Sequence, residues 1–556
     1  MKMVKSLLLG TAAGFVAVAV AQAADLENDK VPSKPAEVKV CNLYGEGFYQ
    51  IPGESDICVR VGATVRLDGG INADGNGGPF IGSGADSRNN RIDSRSFLFQ
   101  GRGTAWLDAR RMTQYGVLKA YFSGGIDVST GTATTASAFW KRGYIGFAGA
   151  TVGRTQSFFD FLNGAFSYGS YHLGGGSNTY DTGILLAAYT MDFGLGISAT
   201  LSVEDNGQRR NALWDAGTNA LPFGGLPGPN GTNVLWSTIC SSAMVTPDTA
   251  SANVAGCPTG DYAARQIPDV VANVRIDQGW GSAQVAGAVH QVRAGGYGND
   301  VSLLAPNIGP AAFTGQAPAD RWGFALMGGG MARVPTGEGD KVWANIVYAQ
   351  GAIAYTGLSQ FGSFGSFSRF SGGSVGAAWA LDGVFANAVG PAAAGLNGSG
   401  IQLTKAWSVG AAYEHHWNPT LRSSVFGVLT DVTYPGDLNG GAKAIFCSSP
   451  VSPVRSAASP GTPASFGAPV GGCDPDFMVW GLGTRTVWSP IQNLELGAEV
   501  MYSRLDQNMG PGVVLNFPGA TGSPTGFYTP QNQSIWSGLL RFQWHFGTPP
   551  TEEMRS

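Results

Sequence analysis

Charged side chains, rather than nucleophiles or metal ligands, are the residues whose spacing in this sequence suggests chemistry. Arg60, Arg66, Arg102, Lys119, Arg142 and Arg154 recur at positions that period-two alternation puts on one face of extended segments. The stretch 157–180 is rich in glycine and aromatic residues and carries a single carboxylate, Asp160, with Asp181 just beyond its end. A row of fixed positive charge facing an acidic loop would set up a transverse field, and rings of fixed charge filter solutes in a narrow aqueous passage. The same arginines could equally be solvated, or pair with Asp68, Asp93 and Asp108.

Other chemistries find little support. The five histidines, His172, His290, His415, His416 and His545, and the serines are too scattered for spacing to select a triad, which is recognised by geometry in any case. Glu414-His415-His416 could ligate a metal, but it falls where a strand meets the short turn at Asn418 and reads as structural. Gly75-x-Gly77 sits in a loop with no helix after it and so lacks the context of a phosphate cradle. The Phe361-Gly-Ser-Phe364-Gly-Ser-Phe367 repeat is low in complexity and reads as an outer loop. No metal, cofactor or enzymatic activity is expected.

Strands must position the charged row. Val59, Val61, Ala63, Val65 and Leu67 share one face, and Arg60, Gly62, Thr64, Arg66 and Asp68 the other. Between 494 and 504, Leu494, Leu496, Ala498, Val500 and Tyr502 alternate with Glu495, Gly497, Glu499, Met501 and Ser503. Strands are expected at 58–70, 93–109, 115–128, 138–149, 150–156, 181–193, 195–205, 266–277, 280–293, 320–334, 341–355, 404–417, 420–433, 476–489, 493–506 and 534–546. Their connections alternate. Short turns lie at 110–114, 148–150, 193–195, 278–279, 335–340, 418–419 and 490–492. Long loops lie at 71–92, 157–180, 206–265, 294–319, 356–403, 434–475 and 507–533, with a shorter one at 129–137. Such alternation is expected of an all-β, transmembrane antiparallel β-barrel of about 16 strands, with short periplasmic turns and long outer loops.

Composition agrees. Hydrophobic residues make up 43% of the 556 and charged residues only 13%, where about 25% is usual for soluble chains. Outside the N-terminus no apolar run is long enough for a helix to span a bilayer. Lys2 and Lys5, the apolar run Leu7–Ala21 and Ala21-Gln22-Ala23 read as a signal peptide over 1–23, cleaved before Ala24. Its removal takes two lysines and no acid, shifting the formal charge from −4 to −6, which gives no reason to expect a nucleic-acid partner. Residues 24–57 form a periplasmic leader, 58–546 the barrel, and 547–556 a polar tail. Aromatic rings near strand ends, among them Trp140, Tyr144, Phe147, Trp280, Trp322, Trp417, Trp480, Trp488, Trp536 and Trp544, suit interfacial girdles. In the last strand the even positions from Trp536 to Phe546 would face lipid. Six cysteines fit an oxidising compartment and allow 15 pairings. Cys41 and Cys58 precede the first strand, whereas Cys240 and Cys257, then Cys447 and Cys473, share outer loops. Bridged Cα atoms lie about 4.4–6.8 Å apart, so neighbour pairing is expected.

Three stretches resemble the alphaproteobacterial general porins: Val38-Lys39-Val40-Cys41-Asn42-Leu43-Tyr44-Gly45-Glu46-Gly47-Phe48-Tyr49 through Cys58; Gly153-Arg154-Thr155-Gln156-Ser157-Phe158-Phe159-Asp160-Phe161; and the closing Phe542-Gln543-Trp544-His545-Phe546. The third is generic to barrels, and ten residues follow Phe546 where such barrels often end. The resemblance implies a sixteen-stranded barrel, usually a homotrimer, in the cell outer membrane with its lipid and lipopolysaccharide, passing small hydrophilic solutes and ions by passive diffusion. It also implies that the loop after Arg154 folds inward and narrows the lumen; so folded, Asp160 is expected to approach the arginine side, where opposite charges stabilise one another. Two rival readings are a substrate-specific channel, whose eyelet would carry an aromatic track drawn from Phe158, Phe159, Phe161, Phe166, Tyr168 and Tyr171, and a surface barrel or adhesin that transports nothing.

Overall fold

The computed structural model describes residues 40–51, 56–72, 97–129, 136–161, 166–168, 176, 179, 183–216, 262–294, 317–358, 366–386, 399–449, 452–465, 468–517 and 526–547. The expected signal peptide, Asp93, Asp181, Cys240, Cys257 and the tail beyond 547 lie outside them. The chain divides into two units, Met1–Cys58 and Val59–Ser556. In the first, Cys41 is bridged to Cys58, and Tyr44 and Phe48 meet edge-on at 5.7 Å.

The second unit is built on sixteen long strands: β1 (Ile57–Ile71), β2 (Phe97–Thr113), β3 (Gly116–Ser129), β4 (Ser137–Phe147), β5 (Ala150–Thr155), β6 (Ile184–Gly194), β7 (Ile197–Glu204), β8 (Asp269–Gln278), β9 (Gly281–Val292), β10 (Arg321–Arg333), β11 (Lys341–Gln350), β12 (Lys405–Asn418), β13 (Leu421–Thr433), β14 (Phe477–Trp488), β15 (Leu494–Gln507) and β16 (Gln533–Phe546). Each pairs with its neighbour, and β16 returns to β1 in antiparallel register, Ala63 opposite Phe546 and Ile71 opposite Gly538. The closure leaves the barrel no open edge, as a wall in lipid requires. All sixteen expected strands are present. The eleventh is shorter than 341–355, because Ile353–Thr356 turns into a 3-10 helix.

Period-two alternation sets the two faces. On β16, Trp536, Leu540, Phe542, Trp544 and Phe546 are exposed on the outside, while Ile535, Ser537 and Leu539 are buried inside. On β1, Val61, Val65, Leu67 and Ile71 face out, and Asp68 is fully buried on the inner side. The outer aromatic row Trp480, Tyr502 and Trp536 runs ring to ring at 5.5 and 5.1 Å across β14–β16. Tyr144 is an exception to the expected girdle: it stacks on Tyr121 inside the barrel, 5.5 Å away.

The long connections carry structure that alternation does not announce. Strands Ser366–Ser371, Ser374–Trp379, Gly526–Pro530, Val513–Phe517 and Val454–Ser456 form one small sheet; Gln402–Leu403, Gly383–Phe385 and Leu213–Asp215 form another. Helix α1 (Gly441–Ser448) carries Phe446, whose ring meets those of Trp379, Trp214 and Tyr434 at 5.2, 5.4 and 5.6 Å. Cys447 on α1 is bridged to Cys473. All four rings are buried.

Candidate functional site

The connection between β5 and β6 enters the barrel instead of standing outside it. At its start, the Ser157 hydroxyl donates to Glu204 at the end of β7, and the Phe158 amide donates to the same carboxylate. Asn273 on β8 and Gln284 on β9 donate to the carbonyls of Phe158, Phe159 and Asp160. Phe161 lies against Gly329 of β10, where a Cβ would stand 2.8 Å from the ring. Phe166 packs near Trp343 of β11, and its carbonyl accepts from Ser424 of β13. Tyr168 reaches the barrel's closing strands: its amide donates to Glu499 of β15, and it packs with Val487 of β14 and Leu539 of β16. The described part of the loop is thus laid along the wall from β7 to β16, and none of these contacts falls on β1–β3.

The inward rows explain this path. Most barrel interiors are polar. Here the inner face of β8–β13 carries Val271, Ala286, Ala288, Ala325, Met327, Val347, Ala349, Phe426 and Val428, which form one core with Phe159, Phe161 and Phe166. Burying apolar surface gains about 25 cal/mol per Å², so a greasy inner wall and a greasy loop segment seal against each other. Phe159, Phe161, Phe166 and Tyr168 are each at most 8% exposed, so their rings serve packing and offer no aromatic track to water. The inner face of β1–β4 and β16 is the opposite. Arg60, Arg66, Arg102, Arg110, Lys119, Arg142 and Arg541 stand there against three carboxylates, Asp68, Asp108 and Asp127.

Five of the six basic residues marked from the sequence face the lumen, and several are held in pairs. Arg60 lies 3.5 Å from Asp108, and Arg66 lies 2.8 Å from Asp68. Arg102 grips Asp127 with two bonds of 2.6 and 2.9 Å. The Lys119 ammonium lies over the rings of Tyr121 and Tyr144 at 5.4 and 5.3 Å. Arg142 is buried and donates to the carbonyls of Lys141 and Thr179. Arg154 departs from the expected ladder. Its strand-mate Val152 is 55% exposed and its cross-strand partner Leu185 is also on the lipid side, so Arg154 lies on the outer face, where its Nε donates to the Trp140 carbonyl. The inner positions of this six-residue strand are Thr151, Gly153 and Thr155, fixed by the turn at Ala148-Gly149.

Asp160 accepts from both the amide and the hydroxyl of Thr179 and lies 3.6 Å from Arg209. An arginine beside it, Arg209, therefore comes from the connection after β7, while Arg142 donates to the carbonyl of Thr179, the residue that Asp160 accepts from. Arg209 was not marked by the sequence; it is 2% exposed, lies 4.3 Å over the Tyr355 ring, and stands 3.9 Å from Glu204. Tyr355 in turn donates to Asp269, which pairs with His290 at 2.8 Å. Beside them, burial pushes the Asp382 carboxyl up to about 6, against the opposing charge of His290 and bonds from the Ile353 amide, the Tyr262 hydroxyl and the Asn211 amide. The signal that could have revealed the loop's path was the set of large or apolar side chains (Val271, Met327, Val347, Phe426 and Val428) at inner positions of β8–β13, interleaved with polar ones such as Asn273 and Gln284.

A closed sixteen-stranded barrel with a polar, mainly basic inner wall on one side and an inlaid loop on the other defines a membrane-spanning β-barrel. A family model described as the Porin subfamily matches residues 29–539. The chain belongs to that family. Porin Omp2b of Brucella melitensis biotype 1 is 31% identical over 222 residues, covering 37% of this chain and 54% of that protein. Porin Omp2b of Brucella suis biovar 1 is 32% identical over 216 residues, with the same shares covered. The chain spans about half the length of these curated relatives. Among solved structures, the outer membrane channel DcaP of Acinetobacter baumannii superposes with a TM-score of 0.50 over 88% of this chain and 98% of that one, at 13% identity, a likeness of fold. Family and barrel place the chain in the outer membrane.

Proposed function

We propose that the chain forms a passive, water-filled channel for small hydrophilic solutes and ions, with a preference for anions, and that it is not an enzyme. One observation carries this reading: the described part of the loop seals against the inner wall from β7 round to β16 and leaves the charged rows of β1–β3 to line the passage. Arg60, Arg66, Arg102 and Lys119 act there as fixed charge, and Asp160 with its loop narrows the lumen from the other side. Positive charge in excess raises the local concentration of anions and lowers that of cations. The barrel assembles as a homotrimer in lipid and lipopolysaccharide after export and loss of residues 1–23; residues 24–57 remain periplasmic. Cys240 pairs with Cys257, and Asp181 closes the acidic loop.

Swelling of liposomes loaded with graded neutral sugars tests the function. The expected result is a rate that falls smoothly with solute size and does not saturate with concentration. A rate that saturates for one solute would support a specific channel instead, and no swelling by a correctly inserted barrel would remove the channel reading. Light scattering in mild detergent tests assembly, with a monomer as the contrary result.

A further inference from the structure

The far end of the inlaid loop docks on a small patch of unusual chemistry. Tyr168 is 8% exposed, and the guanidinium carbons of Arg541 and Arg485 lie 4.0 and 5.0 Å from the centroid of its ring. Both arginines are oriented by carboxylates. Arg541 holds Asp68 with two bonds of 2.7 and 3.0 Å, and Arg485 lies 3.2 Å from Glu414. Arg541 and Asp68 are register partners across the pair of strands that closes the barrel. Gly497, the register partner of Arg541 on β15, has no side chain, and a Cβ there would run into the Tyr168 hydroxyl. A strand glycine at a point of close approach is the usual device for admitting such a group.

We propose that Tyr168 is a positioning residue that sets the width of the passage by clamping the loop to the barrel's closing strands. The inference rests on the diffusion-channel reading. The start of the loop is fixed by hydrogen bonds to Glu204, Asn273 and Gln284, which hold backbone and do not depend on any one aromatic ring. Around Tyr168 the backbone is bonded to Glu499 and, two residues earlier, to Ser424, and the ring adds packing on Val487 and Leu539 and its place beneath two guanidinium groups. Guanidinium over an aromatic face is worth more when the pair is shielded from water, and here both arginines are mostly buried. The clamp therefore decides whether the loop's far end stays on the wall or swings away from it.

Single-channel recording of Tyr168→Phe, Tyr168→Leu and Gly497→Ala separates the ring from mere bulk. Phenylalanine keeps the ring face and should match wild type. Leucine keeps much of the volume but loses both cation contacts. Its record should show a higher-conductance level occupied on the order of tenfold more often than in wild type, the size of effect expected for two partly buried cation–ring contacts. Gly497→Ala, which displaces the hydroxyl, should behave like the leucine variant. Unchanged records for Tyr168→Leu and Gly497→Ala would overturn the clamp, as would a phenylalanine variant that behaves like leucine. A second readout does not need conductance. A Ser167→Cys probe, at a position 3% exposed, should resist a water-soluble maleimide when Tyr168 is intact and react readily when combined with Tyr168→Leu. Equal labelling in both backgrounds would overturn the clamp. A silent but correctly inserted wild type would defeat the diffusion reading alone, since the labelling contrast is read independently.

Discussion

Replacing Arg66 by glutamine removes one positive charge from the uncovered wall while leaving Asp68 paired to Arg541. The Arg66 side chain is 13% exposed and faces the lumen, so its charge acts on passing ions largely through water. At a water-like dielectric, one charge about 5 Å from an ion contributes about 0.8 kcal/mol, and screening at 0.1 M salt leaves about 0.5 kcal/mol. That lowers local anion concentration roughly twofold and raises cation concentration by the same factor, so the anion-to-cation permeability ratio should fall about fivefold. At 1 M salt, where the screening length is about 3 Å, the change should shrink to less than about twofold. Reversal potentials in asymmetric KCl, measured at both ionic strengths, provide the assay. A permeability ratio equal to wild type at low salt would refute the claim that this wall lines the passage. A large shift that persisted at high salt would refute the electrostatic cause and point to a change in pore shape.

Three further outcomes are expected. The Asp382 carboxyl, raised to about 6 by burial, stabilises the packing of 351–386 most fully below its ordinary value of 3.8 and loses that contribution as pH rises through about 6. Protection factors of the described amides in 351–358 and 371–386, taken relative to the intrinsic exchange rate at each pH, should therefore fall between about pH 4 and pH 6, and Asp382→Asn should flatten the dependence; protection factors constant over that range would contradict it. Asp340, in the β10–β11 turn, is held well below the carboxylate range: burial would raise it, but bonds from Thr336, the His416 amide, His415 and Tyr413 prevail. The stabilisation is present above 3.8 and lost as pH falls, so Asp340→Asn should lower the unfolding temperature at pH 7 and cost progressively less below about pH 4. Replacing Cys447 and Cys473 together by serine opens a bridge with a sequence separation of 26 and should weaken the α1 region by about 3 kcal/mol, read by local hydrogen exchange. Peptide mapping that linked Cys58 to either outer loop would overturn the strand order itself.

Much of the barrel was legible because a wall between lipid and water repeats every two residues. Val61, Val65 and Leu67 on β1, and Trp536, Leu540, Phe542, Trp544 and Phe546 on β16, face outward as alternation requires. Arg154 was not legible, since parity does not carry across interruptions. The bulge at Lys141, opposite the Ser123–Gly124 step, and the turn at Ala148, with φ of 49°, reset which face is inside before the short β5 begins. The small outer sheets were hidden for a different reason. Val454–Ser456 pairs with Val513–Phe517, and Ser374–Trp379 with Gly526–Pro530. Such short segments show no period of their own and gain their order only from partners distant in sequence. Asp160 could be marked as the loop's acid, yet its neighbour Arg209 comes from the following connection, which only the closed barrel brings near. Tyr168 likewise showed itself as one aromatic among several, because its arginine partners lie on the last strands of the chain.

The most direct test is single-channel recording of the purified mature chain in planar bilayers, in symmetric KCl over a wide range of concentrations. A diffusion channel predicts long-lived ohmic levels whose conductance rises nearly in proportion to salt. Insertion without conductance, or a current that saturates as salt or solute is raised, would contradict it.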